Sequence, residues 1–379
     1  MKKSILIAFL FVVLVSGRGV KPEVIRSFCY WKTSHEASQG DDSLANSMKV
    51  EHLYVRFFDV DWNPYAGEPQ PVATTHSVNW DVEQLEITPS IFVTNEVVLL
   101  ASKKQLDSLA ERIKNRVIKV QEEYQIEQSH AKAYKIAQKI YDSGSEYHKV
   151  WPNTDSIAKI EKSKIKLNCK EILIDCDWSE KSKKNYFYLL GRLKTSFPQY
   201  TLSATVRLWQ YKYREKAGIP PVDKGLLMCY NLTSPTDYKT ENSIGTSKEV
   251  EEYVTNGGYT LPLDLALPLY SWSVVFRGNQ FKGILTDYDN FVTDTIHFKK
   301  VSATHYLFQD DILIGDSYFR NGDEIRVEKI SDAEIKKMIG VLKSKITITD
   351  QTKVTFFSFD KKYINDYGIE NISNYYSLF

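Results

Sequence analysis

Hydrophobic and polar positions along this chain follow two alternating periods. Short β-branched and aromatic runs are separated by longer stretches whose apolar residues recur at three- and four-residue spacing. Residues Ser27 to Trp31 form the first β run, His52 to Asp61 the second, and Ile87 to Thr94 the third, where Pro89 is tolerated only near a strand start. Ser102 with Gln105 then makes a capping box, and Leu106, Leu109, Ala110, Ile113 and Val117 fall on one helix face. Residues 125–165 are polar and rich in Lys, Glu and Ser, the composition of a helical insertion. The fourth β run is Glu171 to Asp177, followed by a helix that buries Tyr186, Leu189, Leu190 and Leu193. Leu202 to Trp209 is the fifth run and Gly225 to Leu232 the sixth. Thr246 with Glu249 caps a short helix, and the seventh run goes from Leu263 to about Val275. Residues 278–330 break the rhythm with Gly, Asn and Asp turns, which predicts a small β-rich insertion. Ser331 with Glu334 caps a helix presenting Ile335, Met338, Ile339 and Leu342, and Val354 to Phe359 supplies the eighth run.

Eight β runs alternating with helices predict an α/β protein, a (β/α)8 TIM barrel, over residues 18–379. The 379 residues suffice for one large domain with a sizeable core. An open doubly wound sheet would show the same alternation. No G-x-G-x-x-G follows the early strands, which removes its nucleotide-binding version.

The N-terminus carries a targeting pattern. Lys2 and Lys3 precede an apolar run from Ile5 to Val15, closed by Ser16-Gly17-Arg18. These features predict a secretory signal peptide over residues 1–17, cleaved near Gly17, and an exported protein in the periplasm or outside the cell. The run falls short of the ~20 residues of a comfortable membrane span, and no Cys follows Gly17 to complete a lipobox. An uncleaved N-terminal anchor is the alternative. Lys and Arg total 49 against 48 Asp and Glu, a net charge of +1 that argues against a nucleic-acid partner. Cys29, Cys169, Cys176 and Cys229 are too few for a disulfide scaffold and read as free thiols. No C-x-x-C or H-E-x-x-H occurs, so neither a metal site nor a cofactor is expected. Aromatic residues make up 13% of the chain, with 24 Tyr and 7 Trp. That surplus suits a cleft that stacks on sugar rings, and suits a Tyr-rich core equally well.

Active residues of such barrels gather at the C-terminal ends of the strands. Asp59 and Asp61 belong there on the second run, Asn95 and Glu96 on the third, and Asp360 after the eighth. Asp175-Cys176-Asp177-Trp178 ends the fourth run. Residues two apart share a strand face, so both carboxylates would point into the barrel mouth. Two such charges rarely ionise together, which prepares one carboxyl to give a proton and the other to orient or stabilise charge. A pair that caps the next helix is the alternative. A D-x-D metal site lacks a supporting nucleotide motif.

Residues Ile172-Leu173-Ile174-Asp175-Cys176-Asp177-Trp178 resemble the strand-four signature D-G-x-D-x-D-x-E of family-18 glycoside hydrolases, the chitinase and endo-glucosaminidase barrels. Leu227-Met228-Cys229-Tyr230-Asn231-Leu232 is similar to the family's strand-six Met-x-Tyr-Asp, and Ala266-Leu267-Pro268-Leu269-Tyr270-Ser271 to its strand-seven Gly-x-Pro-x-Tyr-Gly. The insertion at 278–330 falls where chitinases carry an extra module. The combination of Asp-Cys-Asp-Trp with Arg207-Leu208-Trp209-Gln210 and Gly218-Ile219-Pro220-Pro221 resembles secreted bacterial barrels of hypothetical function. The chain departs from the family at three places: Ile172 replaces its first Asp, Ser179 its catalytic Glu, and Asn231 its strand-six Asp.

A serine cannot protonate a leaving oxygen, so the resemblance implies that any acid is Asp177, Asp175, Glu180 or Glu96. Glu180 lies one residue late, on the other strand face unless the helix has begun. Asn95-Glu96 resembles the Asn-Glu pair of other retaining glycosidase barrels, or simply opens a loop. Arg207 has the planar fork to hold a ligand, or neutralises Asp175 or Asp177. Tyr230, Asn231 and Tyr270 complete the substrate-binding candidates, with Trp31, Trp178, Trp209 and Trp272 as stacking platforms or ordinary core. Three functions follow. The chain is an exported glycoside hydrolase acting on a complex glycan, a carbohydrate-binding barrel that has lost its general acid, or a surface protein with a vestigial cleft.

Overall fold

The computed structural model describes residues 23–31, 41–72, 85–144, 150–254, 258–286, 293–314 and 317–379. The expected signal segment, residues 1–17, lies outside them. In chain order the first part comprises β1 (Ile25–Tyr30), α1 (Asp41–Ser47), β2 (His52–Asn63), β3 (Glu68–Val72), β4 (Glu86–Val93), α2 (Asn95–Leu100), α3 (Lys103–Ser143) and α4 (Thr154–Lys162). Next come β5 (Glu171–Asp175), α5 (Lys183–Ser196), β6 (Thr201–Arg207), α6 (Leu208–Lys212), α7 (Arg214–Ala217), β7 (Lys224–Met228), α8 (Ser247–Tyr253) and β8 (Leu263–Pro268). An inserted group follows: β9 (Ser271–Arg277), β10 (Gln280–Leu285), β11 (Phe298–Lys300), β12 (His305–Phe308), β13 (Ile312–Ile314), β14 (Ser317–Phe319) and β15 (Glu324–Lys329). The chain closes with α9 (Asp332–Lys345), β16 (Lys353–Phe357), α10 (Lys361–Tyr367) and α11 (Ile369–Ser377).

Eight strands form a closed parallel barrel in the order β1, β2, β4, β5, β6, β7, β8, β16, with β16 pairing back to β1. The architecture is the expected TIM barrel. Strands of this kind are covered on both faces, so they read as nearly unbroken apolar runs; every residue of β5 and of β8 is buried. Pro89 sits in the middle of β4, opposite Val55 and beside a register shift in β2 between Arg56 and Phe58. A local irregularity of that kind accommodates the missing N–H. The capping signals hold atom by atom. Ser102, Thr246 and Ser331 each accept a hydrogen bond from the backbone N–H of Gln105, Glu249 and Glu334 at the starts of α3, α8 and α9.

The long polar stretch after residue 125 is largely the continuation of α3, a single helix of 41 residues, with α4 packed along it. The seventh run needs correction, because it is two strands. β8 ends at Pro268, Leu269 donates its N–H to the Phe357 carbonyl, and from Ser271 the chain pairs antiparallel with β10 and β15. Five inserted strands make a sheet in the order β10, β9, β15, β12, β11 with its own small core of Val275, Phe298, Tyr306, Phe308, Phe319 and Ile325. Two buried side chains attach this sheet to the loop between β7 and α8. Arg326 donates to the carbonyls of Pro235 and Asp237, and Glu328 accepts from the backbone and hydroxyl of Ser243. Among the described residues no helix is long and apolar enough to cross a membrane.

Candidate functional site

A cavity of about 170 Å³ opens at the C-terminal ends of the barrel strands. Strand alternation determines what faces it. Leu173 and Asp175 of β5, Thr205 and Arg207 of β6, and Leu226 and Met228 of β7 line the cavity at two-residue spacing. Asp177 and Tyr230 continue the same alternation past the strand ends, and Cys29, Trp31, Asn231 and Phe357 complete the wall.

Asp175 is buried and accepts a 2.7 Å hydrogen bond from the Thr205 hydroxyl, whose own oxygen accepts the Cys176 N–H. Burial first, and the neighbouring Asp177 second, push its carboxyl up to about 7. Thr205 and Arg207 work in the opposite direction and are outweighed. Asp177 is engaged on both oxygens by the Arg207 guanidinium, in a two-point ion pair whose Nη2–Oδ2 arm is 2.6 Å. That geometry answers the two roles weighed for Arg207: its fork is occupied by Asp177. Gln210 fixes the surroundings, accepting from the Arg207 N–H at 2.7 Å and donating to the Trp178 carbonyl at 2.9 Å.

The opposite wall is aromatic. Tyr230 lies 5.2 Å from Phe357 and 6.1 Å edge-on to Tyr270. Trp31 packs at 5.8 Å on Phe357, and the Arg56 guanidinium lies over its ring. Arg56 is itself paired with Asp59. Asn231 adopts a left-handed φ of 53°, which asparagine tolerates better than most residues, and its Oδ1 accepts the Tyr270 hydroxyl at 2.6 Å. Cys29 reaches the cavity as a thiol that burial pushes up to about 12, which keeps it protonated and unreactive.

Several expected site residues lie elsewhere. Trp178 is fully buried beneath the mouth, stacked on Tyr186 at 5.1 Å with its indole N–H on the Ala217 carbonyl, so it is core and not a platform. Trp209 belongs to α6, because the chain turns helical directly after Arg207, and it is absent from the cavity wall. Trp272 stands in β9, edge-on to Tyr270 and bonded to Glu328 through its indole N–H at 2.8 Å. It supports the wall from behind. Glu180 is exposed in the turn before α5, and Glu96 is exposed in the first turn of α2; neither lines the cavity. Asn95, next to Glu96, accepts the Ser182 hydroxyl and ties the two loops together. Asp360 caps α10. Thr205, Met228 and Phe357 were not anticipated. The two-residue spacing back from Arg207 and Tyr230 would have found the first two.

No family model matches this chain, and no curated protein matches it. Solved structures of similar course exist. The spore cortex-lytic enzyme SleL of Bacillus cereus is 14% identical, with a TM-score of 0.46 over 95% of this chain and 75% of its own. The chitinase ChiA74 of Bacillus thuringiensis is 10% identical, with a TM-score of 0.41 over 89% of this chain and 66% of its own. The xylanase and alpha-amylase inhibitor protein XAIP-II of Scadoxus multiflorus is 11% identical, with a TM-score of 0.31 over 65% of this chain and 80% of its own.

Proposed function

We propose that this chain is an exported, glycoside-hydrolase-like barrel that binds a glycan at the C-terminal mouth. The observation that carries the reading is the two-sided cavity. Asp175 and the Asp177–Arg207 pair stand on one side, and Trp31, Tyr230 and Phe357 on the other. A sugar ring offers hydroxyls to the first and a C–H face to the second. Among the described residues of the cavity wall the one arginine, Arg207, is committed to Asp177, which disfavours a phosphate or other anion. At about 170 Å³ the space is below the ~300–1,000 Å³ usual for whole small-molecule sites, and suits one ring at a glycan end. Export is supported by Lys2, Lys3 and the apolar run from Ile5 to Val15.

Hydrolysis is the second reading, and one observation favours it. A carboxyl poised near 7 is suited to give a proton at neutral pH. Both common mechanisms need a second carboxyl, and here Asp177 is held on both oxygens. Binding is therefore the primary reading. Glycan-array screening of wild-type protein, followed by calorimetry and reducing-end release on the best binder, tests both. Asp175→Asn and Asp177→Asn are each expected to weaken binding by about tenfold, the scale of one lost charge-assisted hydrogen bond. Equal binding by all three proteins would place the site elsewhere. Sugar release by wild type that vanishes in Asp175→Asn would make the protein a hydrolase.

A further inference from the structure

We infer that the helical arm formed by the end of α3 and by α4 is a docking surface for an anionic lipid bilayer, which it meets with the barrel mouth turned away. The inference concerns the end of the molecule opposite the cavity and is independent of what the cavity binds.

Helix α3 is longer than the barrel needs. It follows β4, so it starts at the C-terminal end of the strands and runs back toward their N-terminal end. Its 41 residues span about 60 Å, whereas the five residues of β5 cover about 17 Å. From Leu106 to Tyr124 its buried side chains join the barrel core; among the described residues, no position between Tyr124 and Ile165 does. That part of α3 buries Ser129, Ala133 and Ala137 instead, and α4, packed along it, buries Ala158 and Glu161. The two helices therefore project past the N-terminal end of the barrel. Small side chains hold them together, with Glu161 paired to Lys132 at 3.5 Å and to Lys164 at 2.6 Å. The chain also enters β1 at this end, after the apolar run from Ile5 to Val15.

The arm combines the two properties of an interfacial surface, positive charge and exposed apolar side chains. Between residues 125 and 170 nine lysines stand against five acidic residues, in a chain whose net charge is +1. Lys135, Lys139, Lys159, Lys162 and Lys166 are exposed and form no ion pair among the described residues. On the same arm Val150 is 79% exposed, Ile160 60%, Tyr134 58% and Ile140 49%. Trp151 is 41% exposed, the most exposed tryptophan among the described residues, and it lies 5.4 Å from Tyr134 and 5.5 Å from Tyr141. Tryptophan and tyrosine favour the headgroup level of a bilayer, and each lysine near an anionic surface adds attraction. A soluble polyanion would pair with the lysines and leave the apolar side chains in water. A second copy of the arm would cover the apolar side chains and bring like charges together. An anionic bilayer satisfies both.

The test measures partition of the chain from residue 18 onward, which lacks the apolar run, into vesicles containing no glycan. The wild type is expected to float with vesicles of phosphatidylglycerol and phosphatidylcholine, and to bind pure phosphatidylcholine at least tenfold more weakly. Raising the salt from about 0.1 M to about 1 M should release it. Lys159→Gln, Lys162→Gln and Lys166→Gln together should weaken binding about a hundredfold. Val150→Ser with Ile160→Ser should weaken it about tenfold. All five positions are exposed, and circular dichroism should show the folded helices unchanged. Equal binding to both kinds of vesicle, or full binding by the lysine variant, overturns the inference. So does unchanged affinity of the serine variant together with displacement by soluble polyphosphate, which would make the ligand a polyanion. A dimer formed through the arm, with no vesicle binding, overturns it in favour of a second copy. None of these outcomes touches the glycan reading.

Discussion

The two ends of the barrel are built from the same eight strands and hold their most deeply buried carboxylates differently. At the N-terminal end each buried ion has a counter-ion. Lys353 Nζ lies 2.8 Å from Glu171 and 3.0 Å from Glu86, and Lys170 reaches Glu86 at 2.7 Å. Asp264 is held by Lys224 at 2.7 Å, by the Lys353 N–H at 2.6 Å and by the Tyr54 hydroxyl at 3.0 Å. His52 is fully buried between the hydroxyls of Ser27 and Thr88, and burial followed by the Lys353 charge keeps it neutral. At the C-terminal end, among the described residues, Asp175 accepts one side-chain hydrogen bond, from the Thr205 hydroxyl, and Arg207 is paired with Asp177. Burial pushes both carboxyls up against the cations beside them, Asp264 to about 6 despite Lys224 and Lys353, and Asp175 to about 7 despite Arg207. The difference lies in direct partners: Asp264 is bound by a lysine, a backbone N–H and a hydroxyl inside a network that holds the fold, whereas Asp175 accepts from a hydroxyl and faces the cavity.

The largest expected effect tests the paired end. Lys353→Met keeps the apolar length of the side chain and leaves Glu171 buried without its cation. Breaking a buried pair in this way costs about 3–5 kcal/mol, to be read as a lowered midpoint in urea unfolding. A loss below about 1 kcal/mol would mean that the network is screened by solvent, and the contrast between the ends would disappear.

Asp175→Asn tests the other end through pH. The carboxyl titrates near 3.8 when unfolded and near 7 when folded. Between these values the folded state holds a proton that the unfolded state has released. Asp175 therefore contributes its full stability only at low pH, and that contribution is lost as pH rises through the window. An asparagine has no proton to lose. Relative to wild type, the variant should gain on the order of a few kcal/mol between about pH 4 and about pH 8. Parallel stability curves for the two proteins would show that Asp175 titrates normally and is not a poised acid.

Much of the barrel was legible because parallel strands and capped helices each leave a local signature. The alternation in β5 also brought Asp175 and Asp177 to one cavity without any knowledge of the fold. What failed was pairing. Leu263–Pro268 and Ser271–Arg277 are equally strand-like, and only their partners show that the chain leaves the barrel at Leu269 and Tyr270. Tryptophan placement failed for a related reason. Trp178 and Trp209 flank strand ends, where the backbone turns and two-residue alternation no longer says which way a ring points. Asn231 was visible in the sequence as a candidate, but its orientation depended on the hydroxyl of Tyr270, 39 positions away.

The smallest expected effect concerns the carboxylates that stand near the mouth but outside it. Glu180 and Glu96 are exposed, and neither lines the cavity. A carboxylate in water keeps its hydration and gains little from neighbours beyond a screening length of roughly 8–10 Å. Glu96 has one local role, in the first turn of α2, where its negative charge interacts favourably with the positive end of the helix dipole. Glu180→Gln and Glu96→Gln should each shift stability by no more than about 0.5 kcal/mol, with Glu96→Gln the more costly of the two. Glycan affinity should change by less than about twofold, since neither residue touches the cavity and a rim charge acts mainly on encounter. The double variant should show the sum of the two, because residues without a shared partner add. A tenfold fall in glycan affinity, or loss of reducing-end release in Glu180→Gln alone, would place the working acid on the turn after β5. The boundary between the two kinds of charge would then lie along the rim of the mouth and not between the two ends of the barrel.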